Sequence, residues 1–339
     1  MTHNIVEQFY QDYFCAPENR QLDVAQTKLN PDVKFCVAHP INDLHGPDKS
    51  HQRFLSPLKH ALPDIERRPQ IIVEGEYDNR SWYNSTGYFV GVFENELFGI
   101  PPTGRTLYLR YTEMVCVEDE QITEYYLIPD FIDAMEQSSV NPLRNSLGHR
   151  GLIPVPAIHN GVNQEAICQD SSNKSLHLVK DMLSCLGRFD GKDLLSMDLE
   201  NYWHSNFMWY GPAGIGTTRG IRGFRNHHQA PFVFAFPDRS VDIELNILAK
   251  NDFVSTGGWP HMHGTHTGKS GWLGLAPTGK HIEMRVMDIW RREGELLKEN
   301  WVAIDIIHIL HQLGYDVFCL LYTSPSPRDR SLSRMPSSA

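Results

Sequence analysis

Four things are missing from this sequence, and each absence narrows what the protein can be. The six cysteines (Cys15, Cys36, Cys116, Cys168, Cys185, Cys319) form no CxxC pair. That spacing argues against a disulfide framework and for free thiols in a reducing cytoplasm. No apolar run approaches the roughly 20 residues of a membrane helix, and MTHNIVEQFYQDYF shows no basic stretch followed by an apolar one, so neither a span nor a secretory signal is read. The net charge is −10 and no Lys/Arg cluster stands out, which excludes a nucleic-acid footprint. No HExxH helix accompanies the 17 histidines, so a zinc-hydrolase pattern is absent.

What is present is a pattern that occurs twice. WYNSTGYFVGVFENELFGIPPTGRTLYLR begins at Trp82, and WPHMHGTHTGKSGWLGLAPTGKHIEMR begins at Trp259. Gly87 aligns with Gly264, Gly91 with Gly268, Gly104 with Gly279 and Arg110 with Arg285. Glu113 and Asp130 then fall opposite Asp288 and Asp305, an offset of about 175 residues. The chain therefore reads as a tandem duplication, with domains at 1–137 and 173–318 and an Asn-, Pro- and Gly-rich linker at 138–172. Each copy reads as a helix, a short helix and an antiparallel meander. NIVEQFYQDYF carries Ile5, Val6, Phe9, Tyr10 and Tyr13 at helical spacing, and His281–Val286 alternates. The expected class is α+β: two cone-shaped curved antiparallel sheets, each wrapped by helices around a pocket. Residues 319–339, CLLYTSPSPRDRSLSRMPSSA, resemble a translated sequencing adaptor and read as a non-native disordered tail.

GTHTG, LGLAPTGK, an Asp-x-Trp and ENWVAIDIIHILHQLG, in that order, resemble the SnoaL-like polyketide cyclase family, and the first copy resembles it less sharply. The resemblance implies a nuclear transport factor two-like fold, a cone of bent sheet closed by helices over a deep pocket. It implies acid–base chemistry without cofactor or metal on an apolar, carbonyl-bearing small molecule, as in ring closure by intramolecular aldol condensation. It also implies that Asp305 moves protons and that His266 assists. In the first copy these positions are Asp130 and Phe89, so that site reads as degenerate.

The residues give each assignment a physical alternative. Glu299, Trp301, Ala303 and Asp305 alternate onto one face, where Trp301 would desolvate Asp305 and raise its pKa toward that of a general base. Asp305 also precedes an apolar helical run, the place of a helix cap. Asp288 continues the face of Ile282, Met284 and Val286 and is either pocket-facing or paired with an Arg. Trp209 and Tyr210 are expected at the mouth of the cone, and Trp259 beside the pocket. His261 and His263, two apart, are expected to line the second pocket together, while His266 falls on the other face, an arrangement that closes no zinc site. The first-domain counterparts are Asp130, Glu113 and Trp82. His227 and His228 read as solvated or supporting. The rival reading is a non-catalytic binder of hydrophobic ligands or a scaffold for protein contacts. Neither membrane nor nucleic acid is an expected partner. An internal pseudo-dimer or a homo-oligomer is expected.

Overall fold

Two mixed sheets, each backed by helices, give an α+β architecture in which neither sheet closes into a barrel. The computed structural model describes residues 2–162, 166–241 and 244–319, so the expected tail lies outside the described residues apart from Cys319. The first sheet contains β1 (Leu29–Val37), β2 (Asn42–His45), β3 (Glu66–Tyr77), β4 (Arg80–Val92), β5 (Thr106–Glu118) and β6 (Gln121–Pro129), in the order β2-β1-β6-β5-β4-β3. The second contains β7 (Trp203–Tyr210), β8 (Thr218–Arg219), β9 (Ser240–Val241), β10 (Asn246–Lys250), β11 (Phe253–Thr265), β12 (His281–Glu293) and β13 (Leu296–Ile304). Its order is β10-β11-β12-β13-β7-β8, with β9 paired to β11. The sheets are not wholly antiparallel as the sequence suggested: β1 runs parallel to β6, and β7 to β13. In each case the whole meander joins the two strands, a connection long enough for parallel pairing.

Local chemistry sets the turns. Asp78 and Asn79 (φ 52° and 57°) and Asp119 and Glu120 (φ 48° and 62°) close two-residue hairpins that require left-handed backbone at both positions. The Pro-Thr-Gly closures place Gly104 (φ 65°) and Gly279 (φ 70°) where a side chain would be strained. Helix Thr2–Cys15 buries Val6, Phe9, Tyr10 and Tyr13 against the first sheet, and helix Gln169–Leu186 buries Val179, Met182 and Cys185 against the second. The short helical segments of both copies contain a five-residue π turn, His51–Leu55 and Arg225–Gln229.

The register corrects one part of the sequence alignment. Asp64 caps the Val92 N–H at 2.7 Å, and Asp238 caps the Thr265 N–H at 2.7 Å, so Gly264 is equivalent to Gly91 and not to Gly87. His266 is then equivalent to Phe93: both donate their N–H across the loop, to Arg105 and Lys280. Trp82 pairs with Cys116 as Phe253 pairs with Arg291, so Trp82 is not the counterpart of Trp259. The cause is a bulge in β11, where the five residues Gly258–Met262 lie opposite the three residues Met284–Val286. Glycine spacing hid this, because Gly264 and Gly268 repeat the spacing of Gly87 and Gly91 although Gly268 lies beyond β11.

The two sheets pack through their outer faces. Trp82, Met114, Tyr126 and Ile128 meet Tyr210, Met287, Ile289 and Trp301 in one buried cluster. At its centre Asn84 and Asn246 exchange side-chain hydrogen bonds (2.7 and 3.3 Å), and Asn84 also donates to Ser255 (3.1 Å). Buried amides left without partners are costly, so this reciprocal pair fixes how the copies meet. Among the described residues no helix is long and apolar enough to cross a membrane.

Candidate active site

The second copy encloses a cavity of about 160 Å³ between the inner face of its sheet and its helices. Strand alternation supplies Val286, Asp288 and Trp290 from β12 and Asn300, Val302 and Ile304 from β13. Trp209 comes from β7, His261 from the bulge of β11, His228 from the π turn, and Met182 and Leu186 from the long helix. Asp288 faces this largely apolar space, and the side-chain bond it receives is from Asn300 Nδ2, at 3.1 Å. Burial disfavours its charged form and pushes the carboxyl up to about 7, with Asn300 pulling weakly the other way. The His228 ring stacks on Trp209 (centroids 4.0 Å apart, 17°) and faces Phe232 at 5.8 Å. Burial drives its pKa down to about 3, so the imidazole is neutral, and its Nδ1 has no partner among the described residues. A carboxyl poised near 7 that shares a largely apolar cavity with a neutral imidazole can take up and return a proton at a bound molecule.

The first copy fills the same space. Strand pairing makes Glu113 and Tyr125 equivalent to Asp288 and Asn300, Arg67 to Val241 and Phe35 to Trp209. Glu113 is fully buried and accepts from Arg67, Tyr125, Tyr10 (3.1 Å) and Ser85 (2.7 Å). Arg67 also reaches Glu7 at 2.6 Å and lies 4.8 Å from the Tyr10 ring centre and 5.1 Å from that of Tyr111. Phe54 occupies the position of His228, and Phe35 stacks on Tyr125 at 4.4 Å. An ion pair and a ring of aromatics therefore stand where the second copy has open volume.

The other residues singled out in the sequence lie elsewhere. Asp305 is buried outside the cavity lining. Its Oδ1 caps the last helix by accepting from the His308 N–H (3.1 Å), and its Oδ2 accepts from Arg285 (3.1 Å) and from the first copy's His39 N–H (3.0 Å). Asp130 repeats this, accepting from the Asp133 N–H (3.0 Å) and, across the interface, from the Ala213 N–H (2.8 Å). The face of Glu299, Trp301 and Asp305 is thus the outer one, and the cavity takes the alternate residues. Trp301 and Tyr210 stack 5.2 Å apart in the interface, and Trp259 donates to Asp43 (2.8 Å) with Arg285 over its ring. His266 is buried beside Phe236 and Thr278, outside the cavity lining, so Asp305, His266 and Asp288 do not converge. The β11 bulge also separates the histidine pair: His261 lines the cavity, and His263 lies 5.1 Å from His281. No cluster suited to a metal occurs among the described residues. Asp305→Ala would remove a cap and an interdomain clamp and leave the buried Arg285 guanidinium without its carboxylate, with Asn42 Oδ1 (2.9 Å) as an acceptor. It is expected to cost about 3–5 kcal/mol in denaturant unfolding and to leave the Asp288 titration, followed by NMR, in place.

Sequence reasoning missed Asn300 and read His228 as solvated or supporting, whereas the structure puts its ring in the cavity wall against Trp209. The signal for Asn300 was parity, since it lies two residues from Val302 on the face opposite Trp301. His228 had only its place in the repeat, opposite the apolar Phe54.

A model of the SnoaL-like polyketide cyclase family matches residues 4–138 and 190–313. No curated protein matches. Among solved structures, a candidate SnoaL-like polyketide cyclase from Jannaschia sp. CCS1 aligns at 17% identity, covering 40% of this chain and 90% of that one, with a TM-score of 0.35. IdmH, a candidate polyketide cyclase from Streptomyces antibioticus, aligns at 19% identity over 40% and 96% of the two chains, with a TM-score of 0.33. AclR, a candidate hydroxylase from Streptomyces galilaeus, aligns at 20% identity over 42% and 97%, with a TM-score of 0.34.

Proposed function

The chain belongs to the SnoaL-like polyketide cyclase family, and on that premise we propose that its second domain is an acid–base enzyme acting on an apolar, carbonyl-bearing small molecule. The carrying observation is Asp288, a carboxyl raised to about 7 and bonded by Asn300, facing a cavity that neutral His228 also lines. Asp288 as carboxylate takes a proton from the carbon next to the carbonyl. The electron pair moves into the C–C bond, and the carbonyl oxygen becomes an enolate. His228 and His261, which line the same cavity, would meet that oxygen. The enolate carbon then attacks a second carbonyl within the same molecule, whose oxygen takes the proton back from Asp288, as in ring closure, or the carbon itself recovers that proton at another position, as in isomerisation. Aromatic walls keep water out, which holds Asp288 near the working pH. The first domain serves as the fixed half of an internal pseudo-dimer.

The test is hydrogen–deuterium exchange at the α-carbon of small neutral cyclic and aryl ketones in D₂O, read by NMR. Wild-type protein is expected to accelerate exchange, with a rate that rises with pH through about 7 as Asp288 ionises. Asp288→Asn is expected to lower that rate by at least about 100-fold. Saturable ketone binding with no exchange above background would instead make the second domain a binding module.

A further inference from the structure

We infer that the site takes a neutral molecule of about one ring, anchored by a single carbonyl, enol or phenol oxygen near Asp288, and that fused polycyclic compounds do not fit it. This rests on the functional reading above and narrows its substrate. Three observations carry it. The first is size: the enclosed space is about 160 Å³, and an engineered apolar cavity of about 150 Å³ holds benzene. Trp203, Trp209 and Trp290 form much of the wall, and His228 lies against Trp209 at 4.0 Å, too close for a second ring to slide between them.

The second observation is charge. Among the described residues the lining contains neither Lys nor Arg, and the carboxyl it contains is Asp288. A carboxylate or phosphate ligand would give up hydration, gain no counter-charge and meet Asp288 once that group ionises. A neutral oxygen can accept from an amide or imidazole N–H or from protonated Asp288, and needs nothing further.

The third observation is the mouth. Val241 lines the cavity and is still 55% exposed, so the opening lies beside it. The equivalent residue of the first copy is Arg67, whose side chain runs inward to Glu113. The protein therefore carries its own example of how this pocket is closed: a long cation at one position of the third strand, paired with the inner carboxylate.

The experiment is a ligand ladder on the full chain, read by tryptophan fluorescence and calorimetry at pH 8, with phenol, 1-naphthol, 9-phenanthrol and benzoate. Phenol is expected to bind saturably, 1-naphthol at least tenfold more weakly, and 9-phenanthrol and benzoate not measurably. Equal or tighter binding of the two- or three-ring phenols, equal binding of benzoate, or no binding of any of the four overturns the inference. Val241→Arg, which copies the first domain, is expected to reduce phenol affinity at least tenfold with its thermal unfolding transition intact. Undiminished binding to the folded variant would place the ligand elsewhere and also overturn it. Should that variant fail to fold, the ladder on wild-type protein decides alone. Phenol binding without ketone exchange leaves the size inference standing and sinks the catalytic reading. Binding of 9-phenanthrol together with Asp288-dependent exchange does the reverse.

Discussion

Asp288 is expected to make the protein less stable as pH rises from about 4 to about 7, by roughly 4 kcal/mol, and Asp288→Asn is expected to abolish that component. The unfolded chain ionises an Asp near ~3.9, whereas burial holds Asp288 protonated up to about 7. Between those values the native state keeps a proton that the unfolded state has released. Unfolding therefore releases a proton, and stability falls with rising pH at about 1.4 kcal/mol per unit. Below the lower value the contribution is fully present, and above the upper one it is lost. Asp133 is also raised to about 7, and burial raises Asp130 and Asp305, so the wild-type curve sums several groups of the same sign. The difference between wild type and Asp288→Asn removes that background. Urea unfolding from pH 4 to 9 should show the variant gaining relative stability up to about pH 7 and holding the gain above it. A difference curve that stays flat would mean that Asp288 ionises normally. It would then have water or a cation beside it, and the acid–base role would fail with it.

The duplication, the family and the α+β class were legible because they are carried by many residues at once. The Pro-Thr-Gly closures, the alternating strands and the paired aspartates at the last helices recur whatever the interior contains. The site was less legible because parity fixes which residues share a face without saying which face is inner. Trp301, Asp305 and Tyr210 form a hydrophobic row with a carboxylate, as a pocket wall would, yet they belong to the interface with the other copy. A sequence read one domain at a time cannot tell a face buried by helices from one buried by its own repeat. The two-residue bulge was equally hidden: it shifts His261 relative to His263 and His266 relative to the first copy, while the glycines on either side keep a plausible spacing. Asp288 was readable because it sits among Ile282, Met284 and Val286, and an acid in an apolar row must either find a partner or stay protonated.

The first copy shows what happens when the partner is supplied, and Arg67→Ala is expected to be among the most damaging single changes in the chain. Arg67 and Glu113 have side chains 2% and 0% exposed, so truncating the guanidinium leaves a buried carboxylate without its cation. Losses of about 3–5 kcal/mol are typical of such a break. The hydroxyls of Tyr10 and Tyr125 and that of Ser85 remain as donors to Glu113, which sets the expectation at the lower end of that range. Glu113→Gln alone is expected to cost a comparable amount, because it strands Arg67, whose remaining carboxylate partner is the partly exposed Glu7. Arg67→Met combined with Glu113→Gln removes both charges while keeping volume, and is expected to cost clearly less than the sum of the single changes. Equilibrium unfolding at pH 7 of wild type, Arg67→Met, Glu113→Gln and the double variant closes the cycle. The second copy explains why the pair can be replaced at all: with Val241 and Asp288 at the same positions, a protonated acid and an empty volume suffice. A cost below about 1 kcal/mol for Arg67→Ala would mean that water enters the first copy as readily as the second. The first domain would then hold a closed but usable pocket, and the asymmetry on which the assignment of one working site depends would be gone.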